Sequence, residues 1–203
     1  MPRNWEPVRP RPEVAAEALA RYGHDLTALA RQGAFTPLGW RDAEVARVLQ
    51  ILARRHKNNP VLIGEPKGDR LPIAREVVRR IAVSELSEGA RIQRIVALDT
   101  DALVADSTRR GEFEDRLRAV FEAVRLSRGE LVLLVENLSL LVGAGEAEHA
   151  IDGAVALVPA LARREIQLIG AARLEEYQRY VERDAALQRR FQEVIMRDAS
   201  AHV

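Results

Sequence analysis

Short runs of apolar residues alternate with longer amphipathic segments along most of the chain. The apolar runs span residues 61–63, 92–98, 131–135, 166–169 and 194–196. Between them, apolar residues recur at helical spacing near residues 72–84, 112–127, 150–162 and 174–190. Near-continuous apolar strands separated by helices are typical of a mainly parallel sheet that helices cover on both faces. The pattern therefore predicts an α/β domain of three layers with a five-stranded sheet in the middle.

A helical extension precedes the first predicted strand. Residues 13–31 carry apolar side chains at helical spacing, with Gly33 as the end of the helix and Gly23 as a point where it can break. A second helix opens at Asp42, and Pro72 fits the first turn of the helix after the first strand. The second helix is expected to bury Val45, Val48, Leu49 and Leu52.

The first residues differ in composition from the rest of the chain. Residues 1–12 contain four prolines and show no apolar period, which is typical of an extended and poorly ordered segment. We therefore predict a proline-rich flexible tail over residues 1–16 and a single α/β domain over residues 17–203.

Composition narrows the class of protein but does not identify a ligand. The 203 residues are 47% apolar and 30% charged, with a net charge of +1, so we expect neither nucleic acid nor a membrane as a partner. The chain has no cysteine, and its four histidines lie far apart, so we assign no metal site. No apolar run approaches membrane-spanning length. These features predict a soluble cytoplasmic protein.

One stretch carries the strongest functional signal. After the first apolar run the chain turns through glycine and proline into a helix, which is the context of a phosphate-binding P-loop. Such a loop reads G-x-x-x-x-G-K-[ST], where the lysine and the hydroxyl serve the phosphates and Mg²⁺. The corresponding residues here are Gly64, Glu65, Pro66, Lys67, Gly68, Asp69, Arg70 and Leu71.

The last three positions of this loop are altered in a way that opposes nucleotide chemistry. Asp69 would bring a carboxylate close to phosphate oxygens. Arg70 keeps a positive charge in a larger, forked group, and Leu71 cannot bind a metal. Lys67 is a spare cation at a different position. We favour a strand–helix turn that holds no ligand, and a rebuilt, weak nucleotide site is the alternative.

The chain as a whole resembles the first ATPase module of Clp-type AAA+ protein unfoldases and disaggregases. The resemblance implies an AAA+ P-loop fold, limited to the large α/β subdomain, without the small helical lid domain of the family. It covers nearly all of residues 17–197. Its motifs are residues 22–27 through 41–42, 50–55, 57–66, 110–114, 141–145, 168–171 and 184–191.

The resemblance also assigns roles to the residues after the third apolar run. Glu136 falls on the aspartate that holds Mg²⁺, and Asn137 falls on the glutamate that activates the attacking water. An amide has no basic lone pair near neutral pH, so Asn137 cannot accept the proton of that water. In the other register Glu136 is the base and Val135 the metal ligand, which fails equally. We expect very slow hydrolysis even where nucleotide binds.

Three further positions depart from the family pattern. Arg173 stands at the sensor of the γ-phosphate, where it could bind an anion or, as we favour, pair with Asp69 or Glu136. Arg109 replaces the aromatic residue of the substrate-gripping pore loop, so we expect no threading by this subunit. The adenine-side turn reads Leu38, Gly39 and Trp40, and Trp40 is expected to fill the adenine space or to be a core or interface aromatic.

One functional element is retained. Arg189 and Arg190 resemble the pair of arginine fingers that reach into a neighbouring subunit's site. Two arginines near a helix C-terminus also favour the helix dipole, and both interpretations stay open.

These observations lead to two hypotheses of different classes. The first is a catalytically inactive pseudo-ATPase that acts as a binding, assembly or regulatory subunit and requires no cofactor. Its protein partner would be an intact Clp-type AAA+ ATPase or a second copy of the chain. The alternative is a chaperone-type ATPase that binds ATP or ADP with Mg²⁺ at low affinity and hydrolyses ATP slowly or on stimulation by a partner. A weaker third hypothesis places another anion on Arg70 and Arg173.

Overall fold

The computed structural model describes residues 9–64, 67–83, 91–109, 111–143 and 153–196, and of residues 67–69 the backbone alone. The described residues form one six-stranded sheet with helices on both faces. The strands are β1 Gly23–Asp25, β2 Asn59–Ile63, β3 Arg94–Leu98, β4 Leu131–Val135, β5 Leu168–Ala172 and β6 Phe191–Ile195.

The helices before and between the strands follow the predicted alternation. They are α1 Pro12–Tyr22, α2 Leu26–Arg31, α3 Asp42–Leu52, α4 Lys67–Val83, α5 Thr100–Asp106, α6 Glu112–Leu126, α7 Leu138–Leu141, α8 Ala154–Ala162, α9 Leu174–Tyr177, a π-helix Gln178–Glu182 and α10 Ala185–Gln188. None of these helices combines the length and the apolarity that crossing a membrane requires.

The order of strands across the sheet is β1-β3-β4-β5-β2-β6. Strands β2 to β6 run parallel, and β1 lies antiparallel to β3 at one edge. Because β2 lies between β5 and β6, its carboxyl end meets the carboxyl end of β5. The prediction of a mainly parallel α/β sheet is confirmed.

Alternate residues of each central strand enter different apolar layers, which explains why the strands read as continuous apolar runs. Val61 and Ile63 belong to a core cluster shared with α1, α6 and α8. Leu62, between them, belongs to a second cluster shared with α2, α3 and α4. The sheet is thus the middle layer of a three-layer sandwich.

Strand β1, which the predicted five-stranded sheet did not include, lies inside the segment that was predicted as a helix over residues 13–31. At Gly23 an added Cβ would lie 2.6 Å from the carbonyl oxygen of Leu19 and 2.7 Å from Cγ1 of Val96. A glycine therefore lets the chain turn closely past α1 and pair with β3, where Gly23 faces Leu98. The predicted break at Gly23 is observed, as an edge strand.

Other predicted boundaries need correction. Helix α4 begins at Lys67, so Pro72 lies inside the helix rather than in its first turn, and one internal hydrogen bond is lost there. Helix α3 buries Ile51, while Leu49 is only half-buried. Residues 174–190 form three short elements instead of one helix. The start of the predicted helix at residues 150–152 lies outside the described residues.

Part of the segment that was predicted as a flexible tail, residues 1–16, is helical in the structure. Helix α1 begins at Pro12, which fills the first helical turn without losing a hydrogen bond. Arg9 donates to Glu165 at 2.7 Å and to Glu122 at 3.3 Å. Residues 1–8 of the predicted tail lie outside the described residues.

Candidate functional site

Three of the predicted site residues lie at the carboxyl edge of the parallel sheet. Gly64 follows β2, Glu136 follows β4, and Arg173 follows β5. The backbone N–H of Gly64 donates to the carbonyl oxygen of Ala172 at 3.4 Å, which joins two of these strand ends. The helix after β2 packs on one face of the sheet and the helix after β3 on the other. Where neighbouring strands are followed by helices on opposite faces, a crevice forms at the carboxyl edge of the sheet. That crevice is the usual ligand site of an open α/β sheet.

The first glycine of the P-loop lies close to the side chain of Met196. An added Cβ at Gly64 would lie 2.7 Å from Cε and 3.1 Å from Cβ of Met196, which follows β6. Glu65 and Pro66 lie outside the described residues. The backbone of residues 67–69 forms the first turn of α4. The side chains of Lys67 and Asp69 are not described, so their predicted roles towards phosphate stay predictions.

Arg70 is placed inside the protein rather than towards solvent, with a relative exposure of 4%. Together with Leu71, Glu136 and Ala171 it lines a cavity of about 10 Å³. A cavity of that size holds about one water molecule. In the described part of the P-loop region, the buried side chain of Arg70 therefore has very little free volume beside it.

Asn137 uses its side chain to begin a helix. Its Oδ1 accepts a hydrogen bond from the backbone N–H of Leu140 at 3.2 Å, which caps α7. The hydroxyl of Ser139 lies 2.7 Å from the same oxygen and 3.0 Å from Oε2 of Glu176. Asn137, which the resemblance assigns to the position of the catalytic base, thus has a structural role.

Glu176 connects this cap to the end of β5. Its Oε2 also accepts from the backbone N–H of Arg173 at 3.4 Å, while the side chain of Arg173 is exposed. The predicted pairing of Arg173 or Arg70 with Asp69 stays a prediction, because the side chain of Asp69 is not described. Sequence reasoning missed Glu176, since a glutamate in the first turn of a short helix is common.

The predicted adenine-side turn is held by a buried carboxylate. Oε2 of Glu76 accepts from the backbone N–H of Leu38 at 3.1 Å, and Glu76 is only 2% exposed. Arg79 binds both oxygens at 2.7 and 2.8 Å, and Arg80 donates at 2.9 Å and also contacts Asp42. Bonding to Arg79, then to Arg80 and the Leu38 N–H, outweighs desolvation and lowers the pKa of Glu76 to about 2.

Trp40 lies on the surface of this turn. It is 45% exposed, and the guanidinium of Arg41 lies 5.1 Å from the centre of its ring. Gly39 next to it has open space where a Cβ would stand. Trp40 is therefore not a core residue, and a role at an interface or next to a base stays a prediction.

The pore-loop position is exposed and polar. The backbone N–H groups of Thr108 and Arg109 donate to Oε2 of Glu112 at 2.9 and 3.1 Å, and the side chain of Arg109 is exposed. These bonds, first that to Arg109 and then that to Thr108, lower the pKa of Glu112.

Arg189 and Arg190 lie at the opposite edge of the sheet. They precede β6, whose first residue faces Asn59 at the start of β2, and the carbonyl oxygen of Arg190 accepts from Nδ2 of Asn59 at 3.1 Å. The five residues of β2 separate this edge from Gly64 by roughly 16 Å. Arg189 is exposed. The two arginines are therefore remote from the P-loop of their own chain.

Comparison with known proteins finds extensive similarity to bacterial chaperones, although no family model matches the chain. The chaperone ClpB of Gloeobacter violaceus is 48% identical over 183 residues, which cover 90% of this chain and 21% of that protein. ClpB of Bdellovibrio bacteriovorus is 47% identical over 189 residues, covering 93% and 22%. The chain thus spans about a fifth of the length of these curated relatives.

Solved structures give the same result for the fold. Hsp104 in a closed state with ATPγS and FITC-casein matches with a TM-score of 0.78 and 34% identity, over 90% of this chain and 32% of that chain. The ADP complex of Saccharomyces cerevisiae Hsp104 matches with a TM-score of 0.77 and 35% identity, over 89% and 30%.

The three-layer fold is that of the AAA+ class. Within that class, the sequence identity and the structural match show that the chain belongs to the Clp-type family, as a homologue of one part of the ClpB and Hsp104 chaperones. The resemblance predicted from the sequence is confirmed.

Proposed function

We propose that the chain is a Clp-type AAA+ module that binds protein partners and does not hydrolyse ATP itself. The observation that carries this proposal is the side chain of Asn137, whose oxygen caps α7 at the position of the family's catalytic base. An amide cannot take a proton from water near neutral pH. The module keeps the fold of the family and lacks the group that starts hydrolysis.

The metal-binding residues support the same proposal. Leu71, at the position of the Mg²⁺-binding hydroxyl, offers no ligand atom. Glu136 is exposed and could bind a cation alone, but one carboxylate is a weak site for Mg²⁺. The residues present therefore do not fit Mg²⁺–ATP as a substrate for hydrolysis.

The arginine pair supports a role towards a neighbour. Arg189 and Arg190 stand at the edge of the sheet remote from their own P-loop, so a phosphate at Gly64 that they contact would belong to another subunit. We propose that the partner is an intact Clp-type ATPase, with assembly of several copies of this chain as the alternative. We expect both to meet in the cytoplasm.

The test measures ATP turnover and nucleotide binding on the purified chain. We expect no turnover above background, and no heat or thermal shift, at millimolar ATP with Mg²⁺. Adding the chain to a purified ClpB-type ATPase should change the turnover of that enzyme, and Arg189→Ala with Arg190→Ala should remove the change. Turnover at the rate of ordinary AAA+ enzymes, abolished by Glu136→Ala, would disprove the proposal.

A second candidate function is a nucleotide-responsive chaperone module with weak hydrolysis. Two observations favour it: Arg70 keeps a buried cation beside Glu136 at the strand edge, and the matching Hsp104 structures are complexes with ATPγS and ADP. Replacing Asp69, Arg70 and Leu71 by glycine, lysine and threonine separates the two. A modest tightening of existing binding supports this candidate, whereas a gain from no binding to strong binding supports the first.

A further inference from the structure

A large cleft lies at the amino edge of the sheet, opposite the candidate nucleotide site. The C-terminal ends of α3, α4, α6 and α8 converge there around the starts of the parallel strands. The cleft has a volume of about 1470 Å³. Typical small-molecule pockets are about 300–1,000 Å³. The cleft is therefore large enough for a segment of another protein.

The lining of this cleft is strongly basic. Nine arginines line it, and Glu165 is the one carboxylate among the described lining residues. The chain as a whole has a net charge of +1, so the folded structure concentrates positive charge at this edge. Arginine at helix C-termini is favoured by the helix dipole. That preference accounts for single arginines and not for nine of them around one opening.

Internal ion pairs use part of this charge. Arg79 and Arg80 bind Glu76, and Arg125 binds Glu122. The described residues provide no ion-pair partner within 4 Å for three others, Arg55, Arg91 and Arg128. Arg55 and Arg128 are exposed, and the guanidinium of Arg91, which is also exposed, lies against Gly129. These three are available for anionic groups of a ligand.

The floor of the cleft is aliphatic. Leu52, Ile81, Leu131, Leu161 and Ile166 are buried and line it. No aromatic residue lines the cleft in the described part of the chain, so the stacking platforms typical of single-stranded nucleic-acid sites are missing there. An aliphatic floor under an arginine rim suits a peptide that carries both carboxylates and aliphatic side chains.

We propose that this cleft is the docking site for an acidic, leucine-rich peptide segment of a partner protein. Carboxylates of the segment pair with Arg55, Arg91 and Arg128, and its aliphatic side chains contact the floor. The site lies at the edge of the sheet remote from Gly64, so this proposal does not depend on whether nucleotide binds.

The experiment measures fluorescence anisotropy of a short labelled peptide of glutamate and leucine with the whole chain. We expect saturable binding that weakens as salt is added. The triple variant Arg55→Gln, Arg91→Gln, Arg128→Asn should bind about tenfold more weakly or worse. Asparagine is used at Arg128 because its backbone φ is 53°, which asparagine tolerates.

A matched control removes the same charge elsewhere. Arg11, Arg47 and Arg183 are exposed and lie outside the cleft, and their triple replacement by glutamine should leave peptide binding unchanged. Circular dichroism and urea unfolding of both triple variants would confirm that they are folded. Equal binding by the wild type and the cleft variant, or no binding at all, would overturn the proposal.

Two further outcomes would replace the proposed occupant by another. Tighter binding of a labelled oligonucleotide than of the acidic peptide would make the cleft a nucleic-acid site. Residues 84–90 join Val83 and Arg91, which both line the cleft, and contain Glu85 and Glu88. If Glu85→Ser with Glu88→Ser tightened peptide binding more than about tenfold, the chain's own segment would be the occupant.

Discussion

The backbone N–H of Leu38 donates a hydrogen bond to the carboxylate of Glu76, 38 residues later in the chain. This bond joins the turn before α3 to the middle of α4. Glu76 is 2% exposed, and the arginines one turn later neutralise it. The turn that the family resemblance assigns to the adenine side is therefore held by an ionic cluster of the protein itself.

Replacing Glu76 should destabilise the fold. Glu76→Ala removes the acceptor of the Leu38 N–H and the counter-ion of Arg79 and Arg80, so we expect a loss of about 2–3 kcal/mol in the free energy of unfolding. The loss is smaller than that of a fully buried ion pair, because both arginines are partly exposed to solvent. Urea unfolding measures it. Glu17→Ala on the exposed face of α1 is the control, and a similar loss there would contradict the assignment.

Glu76 should also make stability depend on pH in the acidic range. Its pKa is lowered from 4.5 to about 2 in the folded protein. A carboxyl group with a lowered folded pKa stabilises the protein above the unfolded pKa, and this stabilisation is lost as the pH falls from about 4.5 to 2. The difference in unfolding free energy between wild type and Glu76→Gln should therefore shrink over that interval. A difference that stayed constant from pH 6 to pH 2 would show that the charge is not responsible.

The cap of α7 can be tested by exchange of cap residues. Asn137→Ala should cost about 1 kcal/mol, because the Leu140 N–H loses its acceptor. Asn137→Asp should retain most of the stability, since aspartate caps equally well. Thermal and urea unfolding of the two variants measure the difference. If alanine and aspartate were equivalent, the side-chain oxygen of Asn137 would have no capping role.

The glycine of the P-loop should contribute to packing even without a ligand. Gly64→Ala places a methyl group against Met196, whose Cε can move away while its Cβ must shift slightly, so we expect a cost of about 1 kcal/mol. Met196→Ala in the same chain should relieve the clash, so the double variant should be less destabilised than the sum of the single variants. Gly39→Ala, where a Cβ meets open space, is the control in urea unfolding. If the losses of the two single variants simply added in the double variant, the contact between residue 64 and Met196 would not be the cause of the loss.

The central strands were predictable because both of their faces are buried. Their centres read as short apolar runs bounded by polar or turn residues, and this short length distinguishes them from the longer apolar run of α8. The segment 174–190 was predicted less well, since helical spacing continues across a π-helix and two short helices. The edge strand β1 could not be predicted, because its hydrogen bonds depend on β3, which lies about 70 residues further along the chain.

The candidate site was predicted in part. Gly64, Glu136 and Arg173 each follow an apolar run, and a parallel sheet brings such positions to one edge. Glu76 and Glu176 were missed, because each is one acid among many on a helix, and only the folded chain shows which backbone N–H it binds.

By itself, the sequence determined the class of fold and the chemistry that the strand ends can support. Apolar runs specify buried strands through the free energy of removing apolar surface from water, and the amide of Asn137 excludes a general base whatever surrounds it. The tertiary structure alone decided where the charges meet. In the net charge of the chain, acidic residues balance the arginines that are spread from Arg9 to Arg164. In the fold these arginines surround one cleft, because helices that follow parallel strands all end at the same edge of the sheet.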